Sequence, residues 1–250
     1  MKNLLLIFSI FGFCFSAFAQ NLEINYKVDY TEKYKDLSRI ENHLARSYLR
    51  DEINAMPFVN LSLLIKEKAS LFYAEKSINS DNKKMRGYSA ALRHSGGRDV
   101  FYKDDSLKLV LDEFAGKKCI VLADKKKYNS WEITKEHKMI LGYKCFKATM
   151  EYESYDKYME PLWIPVEAWF TPEISVSTGP LDFDGLPGLI LEVTKDNMIT
   201  YFATKIESRE DLTLEIPSGK NTITYQEKDS IVKKKLLEIK KRSEVYGTEF

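Results

Sequence analysis

Leu22-Glu23-Ile24-Asn25-Tyr26-Lys27-Val28-Asp29-Tyr30 alternates apolar and polar residues without a break. Successive side chains of a strand point to opposite faces, so Leu22, Ile24, Tyr26, Val28 and Tyr30 share one face and the polar residues the other. Such alternation marks an antiparallel sheet with one wet face. Working outward, further strands are expected at about 58–65, 70–76, 100–103, 108–113 and 118–122. They resume at about 129–134, 144–153, 166–170, 188–194 and 199–208. Residues 32–56 break the pattern. Leu37, Ile40, Leu44 and Tyr48 recur at three- and four-residue spacing, which predicts a helical excursion. A second helix is expected near 229–242, where Asp229-Ser230 caps a stripe of Ile231, Leu236 and Ile239. Residues 79–97, with their Asn, Ser and Gly, read as a mobile loop. Short strands, two helical segments and no βαβ alternation predict a mainly β, antiparallel α+β or all-β fold in a single domain over 20–250.

The remaining composition narrows the function. The chain has 250 residues, 44% hydrophobic and 30% charged, which is ordinary for a globular protein and excludes a disordered or collagen-like one. Lys2, the apolar run from Leu4 to Phe18 and the small-x-small Ala17-Phe18-Ala19 form an export leader over 1–19, with Gln20 as the first mature residue. The run is short for a membrane span and ends in a cleavage pattern. Phe13 before Cys14 is too bulky for lipidation of that cysteine. No later stretch is apolar enough to span a bilayer as a helix, so no transmembrane segment is expected after cleavage. Loss of Lys2 makes the basic residues equal in number to the 37 acidic ones, which argues against nucleic acid as a partner. The expected place is the periplasm or outer envelope, or the secreted fraction.

Catalytic signatures are scarce. His43, His94 and His137 lie far apart and read as structural or surface residues, with no H-E-x-x-H, G-x-S-x-G or P-loop pattern nearby. After leader removal Cys119 and Cys145 remain; they form either a disulfide in an oxidising compartment or two buried thiols. Asp182-Phe183-Asp184-Gly185 has a flavour of a calcium loop, but Val193 stands where the twelfth-position Glu belongs, so a turn is the better reading. Tyr152, Tyr155, Tyr158 and Trp163 cluster about one turn; they either grip a sugar, lipid or peptide, or pack on the sheet. No catalytic residue, metal or cofactor is expected.

Residues 178–195 hold the most specific signal. Gly179-Pro180 and Asp184-Gly185 are turn signals, and Pro187 belongs at the start or edge of a strand because it cannot donate to a ladder. Leu189-Ile190-Leu191 then offers apolar groups to both faces, as a doubly buried strand would. Gly185-Leu186-Pro187-Gly188-Leu189-Ile190 is thus a corner feeding a core strand. This hexapeptide resembles the one that names the GLPGLI family of exported bacterial proteins. Trp131-Glu132-Ile133, Ile140-Leu141-Gly142-Tyr143-Lys144-Cys145, Lys147-Ala148, Ala168-Trp169-Phe170-Thr171-Pro172-Glu173-Ile174 and Gly179-Pro180 are similar to its flanking elements. The resemblance is close over 130–195 and loose elsewhere. It implies a secreted or envelope-associated protein and brings no catalytic activity, cofactor or substrate with it. Its strand pattern is similar to the curved, half-open sheets of lipoprotein carriers, an analogy of fold. The leading expectation is a non-enzymatic envelope binding protein that holds an apolar ligand or an envelope protein. The alternatives are an accessory of an outer-membrane complex, or a cryptic hydrolase built on Cys145 or on His137 with Glu136.

Overall fold

The alternation that opens the mature chain becomes strand β1 (Leu22–Tyr30), in which every second residue from Leu22 to Tyr30 is buried. The computed structural model describes residues 21–76, 85–114, 117–123, 130–156, 160–219 and 221–246. The leader, Tyr158, Lys125–Lys127 and residues 79–84 of the expected loop lie outside them. After β1 come α1 (Glu32–Lys35), α2 (His43–Ala55) and a 3-10 turn (Met56–Phe58), so the helical excursion is present. Asn42 starts α2 by accepting from the amides of Leu44 and Ala45, as a cap should. Strands β2 (Asn60–Lys66) and β3 (Ala69–Ala74) follow. Next comes α3 (Tyr88–His94), a helix where the sequence reads as loop. Its residues Tyr88 and Ala91 are buried, and tertiary packing, more than local propensity, supports so short a helix.

Strands β4 (Val100–Lys103), β5 (Lys108–Phe114), β6 (Lys117–Leu122), β7 (Glu132–Ile140), β8 (Tyr143–Tyr155) and β9 (Pro161–Thr171) precede the motif. After it come β10 (Leu189–Lys195), β11 (Ile199–Ser208), β12 (Thr222–Thr224) and α4 (Tyr225–Tyr246). The twelve described strands form one sheet in the order β12-β6-β5-β4-β3-β2-β1-β11-β10-β9-β8-β7. All neighbours are antiparallel except β12, which pairs parallel with β6. Hairpins therefore build two arms, β2 to β6 and β7 to β11, and β1 joins them by pairing with both β2 and β11.

The sheet is strongly curved. A flat one would hold β5 and β8 roughly 40 Å apart, at about 4.8 Å per strand. Yet Val110 of β5 and Tyr152 of β8 line one cleft. The concave face carries the main core: Ile24, Tyr26 and Val28 of β1, Phe72 of β3, Ala148 and Met150 of β8, and Val193 and Tyr201 of the last strands. Residues 172–188 run back across this face and bury Phe183 and Leu186 in it. Each such side chain contributes about 1.5–3 kcal/mol of burial. A smaller cluster of Leu71, Tyr102, Leu109 and Ile120 occupies the convex face under Leu214. Cys119 and Cys145 are both free and buried, so the disulfide alternative is corrected to two thiols. Their strands belong to different arms, β6 and β8, nine places apart in the sheet order.

Candidate functional site

The concave face is half packed and half open. The open half is a cleft of about 320 Å³ between the two arms. Register fixes its walls. Phe101, Val110 and Val121 stand in one cross-strand row on β4, β5 and β6, and all three line the cleft. Tyr152, Lys195 and Tyr201 face them from β8, β10 and β11, while Leu181, Asp182 and Phe183 come from the crossing segment. His94 and Asp99 enter at one end, and Tyr225 and Lys228 of α4 lie along the remaining side. The lining thus combines aromatic surface with charged groups, the usual mixture of a small-molecule site.

Two titratable networks border the cleft. In the first, Glu52 of α2 is buried and accepts a hydrogen bond from the Tyr30 hydroxyl, while the Nδ1 of His94 contacts the same carboxylate oxygen. The Tyr30 hydroxyl also lies 3.3 Å from His94 Nδ1. Burial and the Glu52 carboxylate push the Tyr30 hydroxyl well above its ordinary pKa. With Nδ1 engaged by Glu52, the imidazole is held in one orientation and Nε2 is the nitrogen left for a ligand. In the second network Asp99 hydrogen-bonds Asp112, and Lys228 pairs with Asp112. Burial, then the Asp112 charge, push the Asp99 carboxyl up to about 7, against the opposing pull of Lys228. Desolvation likewise raises Tyr152 and Tyr201, so both stay neutral phenols.

The motif is the wall's anchor. Asp184 is buried and paired with Lys103 at 2.9 Å and Lys108 at 3.1 Å. Trp131 donates its indole N–H to the Asp184 carbonyl at 2.8 Å. Glu173 accepts from the Lys144 amide at 2.9 Å, and the Ile190 amide donates to Thr178 at 2.9 Å. The flanking elements that are separate in sequence therefore meet around the hexapeptide. Gly185 has φ +90°, a region that favours glycine. At Gly188 an added Cβ would stand 2.1 Å from the Thr171 carbonyl oxygen, so the chain passes there only without a side chain. Gly179 lies under Ile190, and Leu186, Leu189 and Ile190 are buried. Pro187 precedes β10, as a residue without an amide donor must.

The aromatic cluster is split. Tyr152 lines the cleft, but the regular register of β8 with β9 places Tyr155 and Trp163 on the opposite pleat. Trp163 is 59% exposed, and Tyr155 lies under Lys233 of α4, whose ammonium is 4.3 Å from its ring centroid. Cys145 is buried with its thiol pushed up to about 11 by desolvation, the opposite of an activated nucleophile. Its register partner is Lys138, and His137 faces Phe146, so the Cys145 and His137–Glu136 groupings bring no nucleophile to an imidazole. Among the described residues no group of three or more His, Cys, Asp or Glu is placed to hold a metal. Sequence reasoning missed Glu52, Asp99, Asp112 and Lys228, and it read His94 as a structural or surface residue. They come from five separate segments, and only the curvature of the sheet assembles them.

Residues 100–235 match the family described as N-glycanase peptide, N-terminal domain. Two solved structures of PNGF-II, in the C2 and P21 space groups, are similar in fold, with TM-scores of 0.52 and 0.50. Identity is 16% and 17%, over 86% of this chain in each case. The chain spans about a third of the length of those structures, 33% and 34%. No curated protein matches the sequence.

Proposed function

The chain belongs to the N-glycanase peptide, N-terminal domain family, and from that premise we propose that it is an exported, non-enzymatic envelope binding protein whose ligand sits in the concave cleft. The cleft carries the reading: a pocket of about 320 Å³ with aromatic walls and hydrogen-bonding groups at its edges. Such a lining suits a ligand with an apolar face and a polar rim. A sugar residue has that form, and the family's description names a glycanase, which favours glycans over purely apolar lipids. The GLPGLI-type resemblance and the leader at 1–19 support export; none of the described helices is long and apolar enough to cross a membrane. The buried, unactivated Cys145 favours binding over hydrolysis.

Native mass spectrometry tests this. Protein expressed with its leader is recovered beginning at Gln20 and incubated with envelope glycan and lipid extracts. A retained ligand mass is expected, and Val110→Trp, which fills the cleft, removes it. Absence of any adduct in every extract contradicts the reading.

A second reading, docking to another envelope protein, has one observation in its favour. Leu44 and Tyr48, one turn apart on α2, are 71% and 69% exposed. Pull-down from envelope fractions, compared between the native chain and Leu44→Asp/Tyr48→Asp, decides that reading.

A further inference from the structure

Helix α3 is docked on α2 with little freedom. Gly87, just before its first turn, has φ +80°, and an added Cβ there would collide with the Asp51 carbonyl. Tyr88 and Ala91 are buried beneath the helix. The α2 residue after Asp51 is the buried Glu52, which accepts from the Tyr30 hydroxyl and contacts Nδ1 of His94, the last residue of α3. An ionised carboxylate only accepts, so Nδ1 is the donor of that pair. The carbonyls at this end of the helix are also taken. Those of Ala91, Leu92 and Arg93 accept from the amides of Ser95, Gly97 and Gly96 respectively. What α3 offers the cleft is therefore the Nε2 edge of a fixed, half-exposed imidazole, with the Arg93 guanidinium beside it.

That guanidinium is uncommitted. Arg86, just before the helix, is tied to Asp51 at 3.1 Å, whereas Arg93 is exposed and joins no ion pair among the described residues. The acids of the lining are engaged elsewhere. Asp99 hydrogen-bonds Asp112, and Asp112 pairs with Lys228; Asp182 acts on Tyr152 of the β8 wall. An arginine next to an imidazole, with the carboxylate that touches the ring buried behind it, makes a receptor for an anionic oxygen.

We propose that the ligand of the cleft is an acidic sugar, held by Arg93 and His94 through its anionic group and by the aromatic walls through its ring. The proposal rests on the cleft being a ligand site, and names the class of ligand it takes. A protonated imidazole donates from both nitrogens, Nδ1 to Glu52 and Nε2 to the ligand, and the anion itself favours that form. Arg93 adds a planar fork of N–H donors that matches a carboxylate or a phosphate. Beyond them the lining continues to Phe101, Val110 and Tyr152, surface on which one face of a sugar ring packs. The volume of about 320 Å³ lies near the lower limit of small-molecule sites, roughly 300 Å³, so the cleft suits a terminal sugar residue and not a long stretch of polymer. Glu52 is a positioning residue, acting through the orientation of His94.

Isothermal titration of the full chain with methyl β-D-glucuronide, glucose 6-phosphate and methyl β-D-glucoside tests this. At least one of the two anionic sugars is expected to bind about tenfold or more tighter than the neutral glycoside, the scale of a hydrogen bond to a charged group. Which of them does so tells a carboxylate ligand from a phosphate. Arg93→Gln and His94→Gln are each expected to weaken that sugar by about tenfold and to leave the glucoside within about twofold, while Val110→Trp removes all binding. Nitrogen-15 spectra of the three histidines, with His94 assigned through His94→Gln, read the role of Glu52. On adding the anionic sugar the His94 Nε2 signal is expected to shift more than the Nδ1 signal, which Glu52 holds. Equal affinity for all three sugars, tighter binding of the glucoside, an unmoved Nε2 signal, or anionic binding that survives Val110→Trp or both α3 substitutions overturns the acidic sugar. The envelope extracts separate this from failure of the cleft. No binding of the three sugars, with an extract adduct that Val110→Trp removes, overturns the acidic ligand and leaves the site, whereas no binding and no adduct overturns both.

Discussion

At the scale of residues, the corner between β9 and β10 is where single atoms decide most. Gly188 passes so close to the Thr171 carbonyl that any side chain must displace backbone. Gly188→Ala is expected to cost about 3 kcal/mol or more, read as a lower urea midpoint from tryptophan fluorescence; a loss below 0.5 kcal/mol, roughly a neutral surface change, contradicts the packing described. Asp184 is the second such residue, since Lys108 is buried beside it. Removing one member of a buried ion pair leaves its partner uncompensated. Asp184→Ala is thus expected to destabilise by about 3–5 kcal/mol, and restoring charge balance with Lys108→Met in the same chain recovers part of it. Asp99 gives the pH dependence. Its folded-state pKa is raised, so its contribution to stability is complete below the unfolded value near 4 and disappears as pH rises through about 7. Asp99→Asn should therefore raise the melting temperature relative to wild type at pH 8 and not at pH 4. Equal shifts at both would refute that account.

At the scale of elements, what is local is legible and what is assembled is not. The Leu22–Tyr30 alternation reads directly as β1, and 100–103 and 199–208 match β4 and β11 at both ends. The excursion at 32–56 and the terminal helix are also visible, though α4 begins four residues earlier than the stripe suggests. Its true start is set by Thr224 and Glu227, each of which bonds the other's backbone amide. Thr224→Ala is expected to remove about 1 kcal/mol of helix stability and to reduce far-UV helicity measurably. Helix α3 escaped a local reading because Gly87 and the flanking Ser and Gly outweigh a seven-residue segment; burial of Tyr88 and Ala91 is what holds it. Strand β12, three residues long, has no periodicity to read. The hexapeptide was identified as a corner, but its lock was not: Lys103 and Lys108 reach Asp184 from β4 and β5, and Trp131 from just before β7, all distant in sequence.

At the scale of the whole molecule, the cleft follows from curvature. Two hairpin arms joined through β1 bend until β5 and β8 face one another, and the crossing segment fills only part of the space between them. The cleft that remains is mixed in polarity, which moves the expected ligand from purely apolar toward amphipathic. None of the sequence motifs announces it, because its walls come from eight strands and helices that meet only after folding. Equilibrium titration with 8-anilinonaphthalene-1-sulfonate, an aromatic anion matched to phenol walls and a basic edge, tests the cleft directly. The account predicts saturable 1:1 fluorescence enhancement that Val110→Trp abolishes without lowering the melting temperature. Enhancement that fails to saturate, or that survives Val110→Trp unchanged, would contradict it.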